Sequence, residues 1–376
     1  ISSAATKNLA ESTGMRENQF QNTTKLLQLL DDGKLKLNKN SIVIADEAGM
    51  FDTQTFYRLS KHVNEAGGKL ILSGEKEQLQ SVGYGGGFKT LNEQFELAKV
   101  TEINRQKHDY QKEITEALAQ GKSKEGLRKL YDNGHIVITK NEKEKMDVLV
   151  EKWIADAKVP KEKVIIATSN LDGEMINLKI REKLKEKGFL GDEVRIDCRD
   201  GKQRDFAIGE RVVFFKNQRS NDEKAQKAYN SDTATIDSFV YDKAGNVKAL
   251  RLIRESDNKV MTMAVNEKLA LKYGNCITTH KSQGQTKDHT YYYVNKNSLP
   301  DLHQSYVAMS RHRENAWMFL SDEMVTNLAK KTTDKTPTKK MIEVSDALIK
   351  KLDIKMDAEE KEKMQKSFLK TRDFLN

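Results

Sequence analysis

The chain has 376 residues, of which 32% are charged and 37% hydrophobic, enough for two or more cored domains. Its net charge of +9 and pI near 9.1 favour a polyanionic partner such as nucleic acid. The two cysteines, Cys198 and Cys276, exclude a disulfide framework and a cysteine zinc site, and no apolar run is long enough for a membrane span. No secretory signal opens the chain, and a first residue of Ile1 rather than Met reads as a fragment.

In chain order, Ser2–Lys7 is a small-residue stretch that suits a phosphate contact through Thr6 and Lys7, ahead of a helical pattern through Leu27, Leu29 and Leu30. Asp31–Lys34 is a turn signal, and the alternation from Lys34 to Asn40 predicts a short hairpin. Ile42-Val-Ile-Ala45 is a short β-branched run ended by charge, which predicts a buried parallel strand. Ligands in open α/β sheets bind beyond the carboxyl ends of the strands, where Asp46 and Glu47 would project. There one carboxylate suits Mg²⁺ and its neighbour an attacking water; the bland reading is a solvated strand end. A helix from Thr53 to Ala66, closed by Gly67-Gly68, leads to a second strand at Lys69–Ser73 and completes a βαβ unit. Gln78 then falls just past a strand end, where a neutral amide suits a γ-phosphate or its water. Gly83–Thr90 comes within one residue of a P-loop, but Phe88 occupies the second glycine position, so it reads as a flexible turn.

A third strand-like piece, Leu97–Ile103, ends in Asn104-Arg105-Gln106, and an arginine there is suited to a transferring phosphoryl group. Residues 108–157 read as a helical connector with a turn at Asn133-Gly134. A second α/β unit starts at Val164–Thr168, followed by Ser169, Asn170 and a helix carrying Ile176, Asn177 and Ile180. From about 191 to 265 the pattern changes to short strands at Glu193–Ile196, Arg211–Phe215, Ala234–Phe239, Ala249–Ile253 and Val260–Ala264, a small barrel or meander. Thr278-Thr-His-Lys-Ser-Gln-Gly284 packs hydroxyls, a lysine and amides ahead of a glycine, which suits phosphate contacts. Tyr306–Arg313 begins helical and precedes a strand at Trp317–Leu320; the tail after it is lysine-rich, with a break at Pro337.

Seven stretches in this order resemble the motifs of a superfamily 1 DNA helicase: Ser3–Lys7, Asp46–Met50, Gly74–Gln80, Asn104–Gln106, Gly209–Val212, Thr279–Gly284 and Tyr306–Arg313. The likeness is to the RecD-like (SF1B) branch found in conjugative relaxase-helicases of the Ti-plasmid TraA/TraI type. It implies an α/β fold: two RecA-like P-loop NTPase domains, the first N-terminally incomplete, a small SH3-like β insert in the second, and a helical tail. The implied boundaries are 1–107 for the first domain, 108–160 for the connector, 161–325 for the second with its insert at about 191–265, and 326–376 for the tail.

The resemblance implies ATP and Mg²⁺ as cofactors. Asp46 would hold Mg²⁺, Glu47 would activate the water, and Gln78 would read the γ-phosphate. Arg105 and Arg311 would act as arginine fingers from the two sides of a cleft. Gln283, Gly284 and Arg313 are expected near the nucleotide, and Thr6, Lys7, Asn170, Thr279, His280 and Lys281 near the nucleic-acid backbone. The implied activity is 5′–3′ translocation on single-stranded DNA in the bacterial cytoplasm, with other relaxosome proteins as partners and no membrane span. The family's P-loop would precede Ile1, so the chain alone is expected to hydrolyse ATP poorly, and an incomplete first sheet is expected to expose apolar surface. A catalytically inactive scaffold that binds single strands, and an RNA-directed helicase, stay open as other readings.

Overall fold

Short β-branched runs bounded by turns become strands throughout the chain. In a computed structural model, described for residues 14, 19–74, 88, 98, 103–120, 122–221, 227–295 and 302–322, they are β1 (Ile42–Ala45), β2 (Lys69–Leu72), β3 (Ile136–Thr139), β4 (Lys163–Ala167), β5 (Glu193–Asp197), β6 (Gln203–Ala207), β7 (Arg211–Phe214), β8 (Gln218–Arg219), β9 (Lys227–Ala228), β10 (Thr233–Tyr241), β11 (Val247–Arg254), β12 (Val260–Ala264), β13 (Leu271–Tyr273), β14 (Cys276–Thr278), β15 (Lys287–Tyr293) and β16 (His312–Ser321). The chain divides into two units. The first holds Ile1–Glu102, Leu184–Asn275 and His280–Gln285; the second holds Ile103–Lys183, Cys276–Thr279 and Thr286–Asn376.

In the first unit β1 and β2 pair in parallel, Ile42 opposite Lys69 through Ala45 opposite Leu72. The helix Thr53–Glu65 joins them, capped by Asp52, whose side chain accepts from the Thr55 amide at 2.7 Å. It ends in Gly67 at φ +68 and Gly68, where an added Cβ would lie 2.9 Å from the Ser41 carbonyl oxygen. One sheet face, Val43, Ala45, Leu70 and Leu72, packs with Leu27, Phe51 and Leu59. The other face carries Ile42, Ile44 and Ile71, which are 59%, 42% and 49% exposed. Among the described residues, the strand read as buried is therefore covered on one face only; a run of four apolar residues cannot announce how many layers flank it. Lys34–Asn40 forms no hairpin either: the Leu35 amide bonds back to Leu29 and the Ser41 amide to Asn38, so the donors are satisfied locally.

The same unit contains the strand-rich segment. Its main sheet runs β12-β11-β10-β7-β13, antiparallel throughout, with hairpins β5–β6 and β8–β9. Alternate residues such as Val212, Phe214, Leu250, Leu252, Met261 and Met263 fill one core. The strands extend past the expected limit of 265, since β13 returns to pair with β7. Gly209, at φ +84, brings the chain close to the Phe189 carbonyl, and the next arginine is a structural tie. Arg211 forks onto the Glu255 carboxylate and also donates to the Gly274 carbonyl at 3.0 Å.

The second unit is built on a parallel sheet in the order β14-β4-β15-β16-β3. β4 is buried at all five positions, as a strand covered on both faces must be. Here the connector expectation fails. Residues 108–157 are helical at Asp109–Ala119, Ser123–Asp132 and Glu142–Ala155, but Ile136–Thr139 is an edge strand paired with Met318–Ser321. A four-residue run between the Gly134 turn and the Asn141 cap shows no period, and only its neighbour makes it a strand. β16 likewise starts at His312 rather than Trp317, which puts Arg313 within the strand.

Candidate functional site

The backbone after β1 is bent sharply. The Ser73 amide donates to Ala45 and the Ala48 amide to Ser73, at 2.9 and 2.8 Å, so the chain curls at once into the 3₁₀ turn Ala48–Met50. Glu47, at the start of that turn, is held in the left-handed region at φ 52, ψ 37. A residue with a Cβ pays about 1–2 kcal/mol for that conformation, and such strain concentrates at working sites. The Glu47 carboxylate accepts from the Gln283 amide nitrogen at 3.4 Å, within the same unit. Gln283 is brought there by the short helix Thr279–Ser282 and a turn in which the Gln285 amide bonds Ser282 and Gly284 takes φ +75. Two sequence stretches more than two hundred residues apart thus meet at one carboxylate.

Gly74 lets this turn close. A Cβ there would sit 3.0 Å from the Gly49 nitrogen, 3.2 Å from the Ala48 nitrogen and 3.2 Å from the Phe88 ring. Gly74→Ala is expected to cost about 1–3 kcal/mol, as overpacking does, and to lower the melting temperature. A thermal melt unchanged from the parent would show that the turn yields freely.

Asp46, half-buried, and Glu47 supply hard oxygen donors. Mg²⁺ takes one or two carboxylates and completes its shell with water and substrate phosphates, so this pair fits it. Among the described residues no group of three or more His, Cys, Asp or Glu is placed to hold a metal ion by itself.

Beyond β14, Thr279, Ser282 and Gln283 are buried, Lys281 and Gly284 are partly buried and His280 is exposed. Burial, reinforced by the positive charge of Lys272, holds the Lys281 ammonium below its usual pKa. Beyond β4, Asn170 is exposed at the first position of the helix Asn170–Glu186. Two turns further, Asn177, which the sequence places only within a helix, grips the edge strand: its amide donates to the Cys276 carbonyl at 2.9 Å and accepts from the Cys276 amide at 2.8 Å. That contact fixes the strand feeding Thr279–Gly284, and nothing local in the sequence signals it.

The arginines come next. Arg105 donates to the Ser310 carbonyl at 2.8 Å. Arg311, 2% exposed, donates from Nε to the Val307 carbonyl at 3.0 Å and from Nη2 to the Ser310 hydroxyl at 3.1 Å. The expectation that Arg105 belongs to the first domain and faces Arg311 from the opposite side does not hold: both lie in the second unit, on either side of Ser310. The cause is local, since the Lys107 amide also bonds the Arg313 carbonyl at 2.7 Å and ties this segment to the start of β16. Arg313, expected near the nucleotide, is half exposed and donates to Asp288 at 2.9 Å. Thr6, Lys7, Gln78, the 326–376 tail and nearly all of the 83–90 and 97–102 stretches lie outside the described residues.

Comparison with known proteins places these features. An AAA domain family matches residues 1–141, and the viral superfamily 1 RNA helicase core domain matches residues 198–319. The conjugal transfer protein TraA of Agrobacterium fabrum is 29% identical over 288 residues, and that of Rhizobium radiobacter 30% over 289. Over that stretch the chain is similar in sequence to TraA. The aligned stretch is 76% of this chain but 25% of each TraA relative, so the chain corresponds to about a quarter of their length. The crystal structure of the Pif1 helicase from Candida albicans shares the fold, with a TM-score of 0.50 at 15% identity over 83% of this chain and 82% of that one. The Pif1 fold agrees with the α/β architecture and parallel sheet described above.

Proposed function

We propose that this chain is the motor portion of a conjugal transfer protein: an ATP-dependent helicase that moves 5′ to 3′ on single-stranded DNA. The observation that carries the reading is the hydrogen bond from Gln283 to Glu47, which joins the acidic strand end to a residue of the His280–Gln285 segment within the first unit. Superfamily 1 helicase homology supports the class of activity.

In this reading Asp46 would hold Mg²⁺, which when bound would supply positive charge to the nucleotide phosphates. Glu47 takes the proton of the attacking water, and the hydrogen bond from Gln283 helps to orient its carboxylate. Gln283, bonded to that carboxylate, reports its state to the residues that follow β14. Arg105 and Arg311 supply the cations for charge that builds on the transferring phosphoryl group. Gln78 reads the γ-phosphate, Gly284 and Arg313 lie near the nucleotide, and Thr6, Lys7, Asn170, Thr279, His280 and Lys281 contact the nucleic-acid backbone. Other proteins of the conjugation apparatus are partners, and the site of action is the bacterial cytoplasm. No described helix is long and apolar enough to cross a membrane.

DNA-stimulated ATP hydrolysis, measured on this chain and on a form extended upstream through a P-loop, tests the proposal. Stimulated turnover in the extended form supports a motor; tight single-strand binding by an inert extended form would move the reading to a scaffold. Affinity for single-stranded DNA is expected to fall steeply with salt, with a log–log slope of about −0.7 per phosphate neutralised. A flat response between low and physiological salt would remove nucleic acid from the reading. Tighter binding of RNA than of DNA of the same sequence would make RNA the track.

A further inference from the structure

Gln106 sits between the two arginines and is 3% exposed. Its side-chain nitrogen donates to the Ser310 carbonyl at 3.3 Å and to the His312 carbonyl at 3.1 Å, the residues immediately before and after Arg311. The Ser310 carbonyl also receives Arg105 at 2.8 Å, so one acceptor is shared by neighbouring side chains of a single segment. The Lys107 amide then bonds the Arg313 carbonyl, and the Lys107 ammonium reaches Glu314 at 2.8 Å. Three consecutive residues therefore lie along the five residues 310–314, and Gln106 alone of the three spans the backbone on both sides of Arg311.

We infer that Gln106 is a positioning residue: by fixing the Ser310 and His312 carbonyls it sets Arg311 and Arg105 relative to each other, so that both cations address one phosphoryl group together. Both acceptors are carbonyls, so the position requires a donor of this length without charge. Asparagine is one methylene too short, and a glutamate carboxylate would face two carbonyl oxygens. The Gln106 side chain bonds the two carbonyls that flank Arg311 and so acts through its neighbours. The inference rests on the reading of Arg105 and Arg311 as the cations of hydrolysis.

The test is steady-state, DNA-stimulated ATP hydrolysis by the full-length protein carrying Arg105→Ala, Arg311→Ala, Gln106→Ala or Gln106→Glu, with thermal melts alongside. Misplacing a catalytic group by about an ångström costs on the order of 100-fold, so Gln106→Ala is expected to lower kcat by about 10- to 100-fold while KM for ATP and single-strand affinity hold. It should add little in the Arg105→Ala background. Gln106→Glu should be slower still at neutral pH and recover as pH falls, because protonation restores one donor. A slow Arg105→Ala beside a fully active Gln106→Ala overturns this inference alone. Full activity in both arginine variants overturns the reading it rests on. Independently of any rate, hydrogen exchange of the Lys107 amide should quicken in Gln106→Ala while β4 and β15 stay protected; unchanged protection at Lys107 also overturns the inference.

Discussion

Replacing Glu47 by glutamine is expected to reduce DNA-stimulated ATP hydrolysis by about 10²–10⁴-fold, the usual worth of a positioned general base. The substitution keeps the shape of the side chain and an oxygen for Gln283, so single-strand binding and the melting temperature should stay near those of the parent. A loss confined to the chemical step would separate base chemistry from structural support. Glu47→Gly makes the complementary case. Glycine adopts the left-handed backbone without penalty, so relief of the strain should offset part of glycine's entropy cost while hydrolysis is lost. Stability held with activity gone is the signature of strain kept for function. If Glu47→Gln retained most of the parent rate in a form that hydrolyses ATP, the base would have to be sought elsewhere.

Acid is expected to begin destabilising the second unit well above the usual carboxylate range. Burial holds the imidazoles of His135 and His312 down, to about 4 and about 3. Both rings are buried, at 6% and 0% exposure. The sign follows from proton counting. In the unfolded chain these rings take a proton near pH 6.5, while the folded unit refuses it, so the unfolded state binds more protons and stability falls as pH drops below 6.5. Each pKa unit is worth about 1.4 kcal/mol, and the two groups together remove on the order of 6 kcal/mol by pH 4. That is comparable with the whole stability of a typical domain. Lower still, carboxylates add to the loss. Hydrogen bonds from Lys107 and Lys158 hold Glu314 at about 2. Burial pushes Asp156 up, but hydrogen bonds from His289, Tyr291 and the Lys158 amide outweigh it and hold it below the usual range. Such groups stabilise the fold above their unfolded pKa and lose that contribution as pH falls. Urea melts at pH 7.5, 6 and 4.5 should show the midpoint moving steadily down. His312→Leu, which keeps an apolar side chain in place of the ring, should flatten the slope by about half. A slope unchanged in that variant would assign the acid sensitivity to other groups.

How much of this was legible beforehand depends on the range of the interactions. The order of the stretches proposed to carry the chemistry is a property of the sequence. The helix Thr53–Glu65, with an aspartate cap at one end and two glycines at the other, is written in neighbours a few residues apart, and so is β4 with its unbroken apolar run. The acidic pair after β1 was visible for the same reason: strand-then-charge is a local pattern. Tertiary structure decided what local patterns leave open. Ile136–Thr139 is a strand because Met318–Ser321 lies beside it, and β1 is half exposed because, among the described residues, one layer and not two covers its sheet. Arg105 joined Arg311 because a carbonyl at Ser310 accepted it across more than two hundred residues, and Glu47 met Gln283 at similar separation. Hydrogen bonds between distant segments leave no period and no spacing in the sequence. The sequence offered the candidate residues; folding determined which of the described ones stand together.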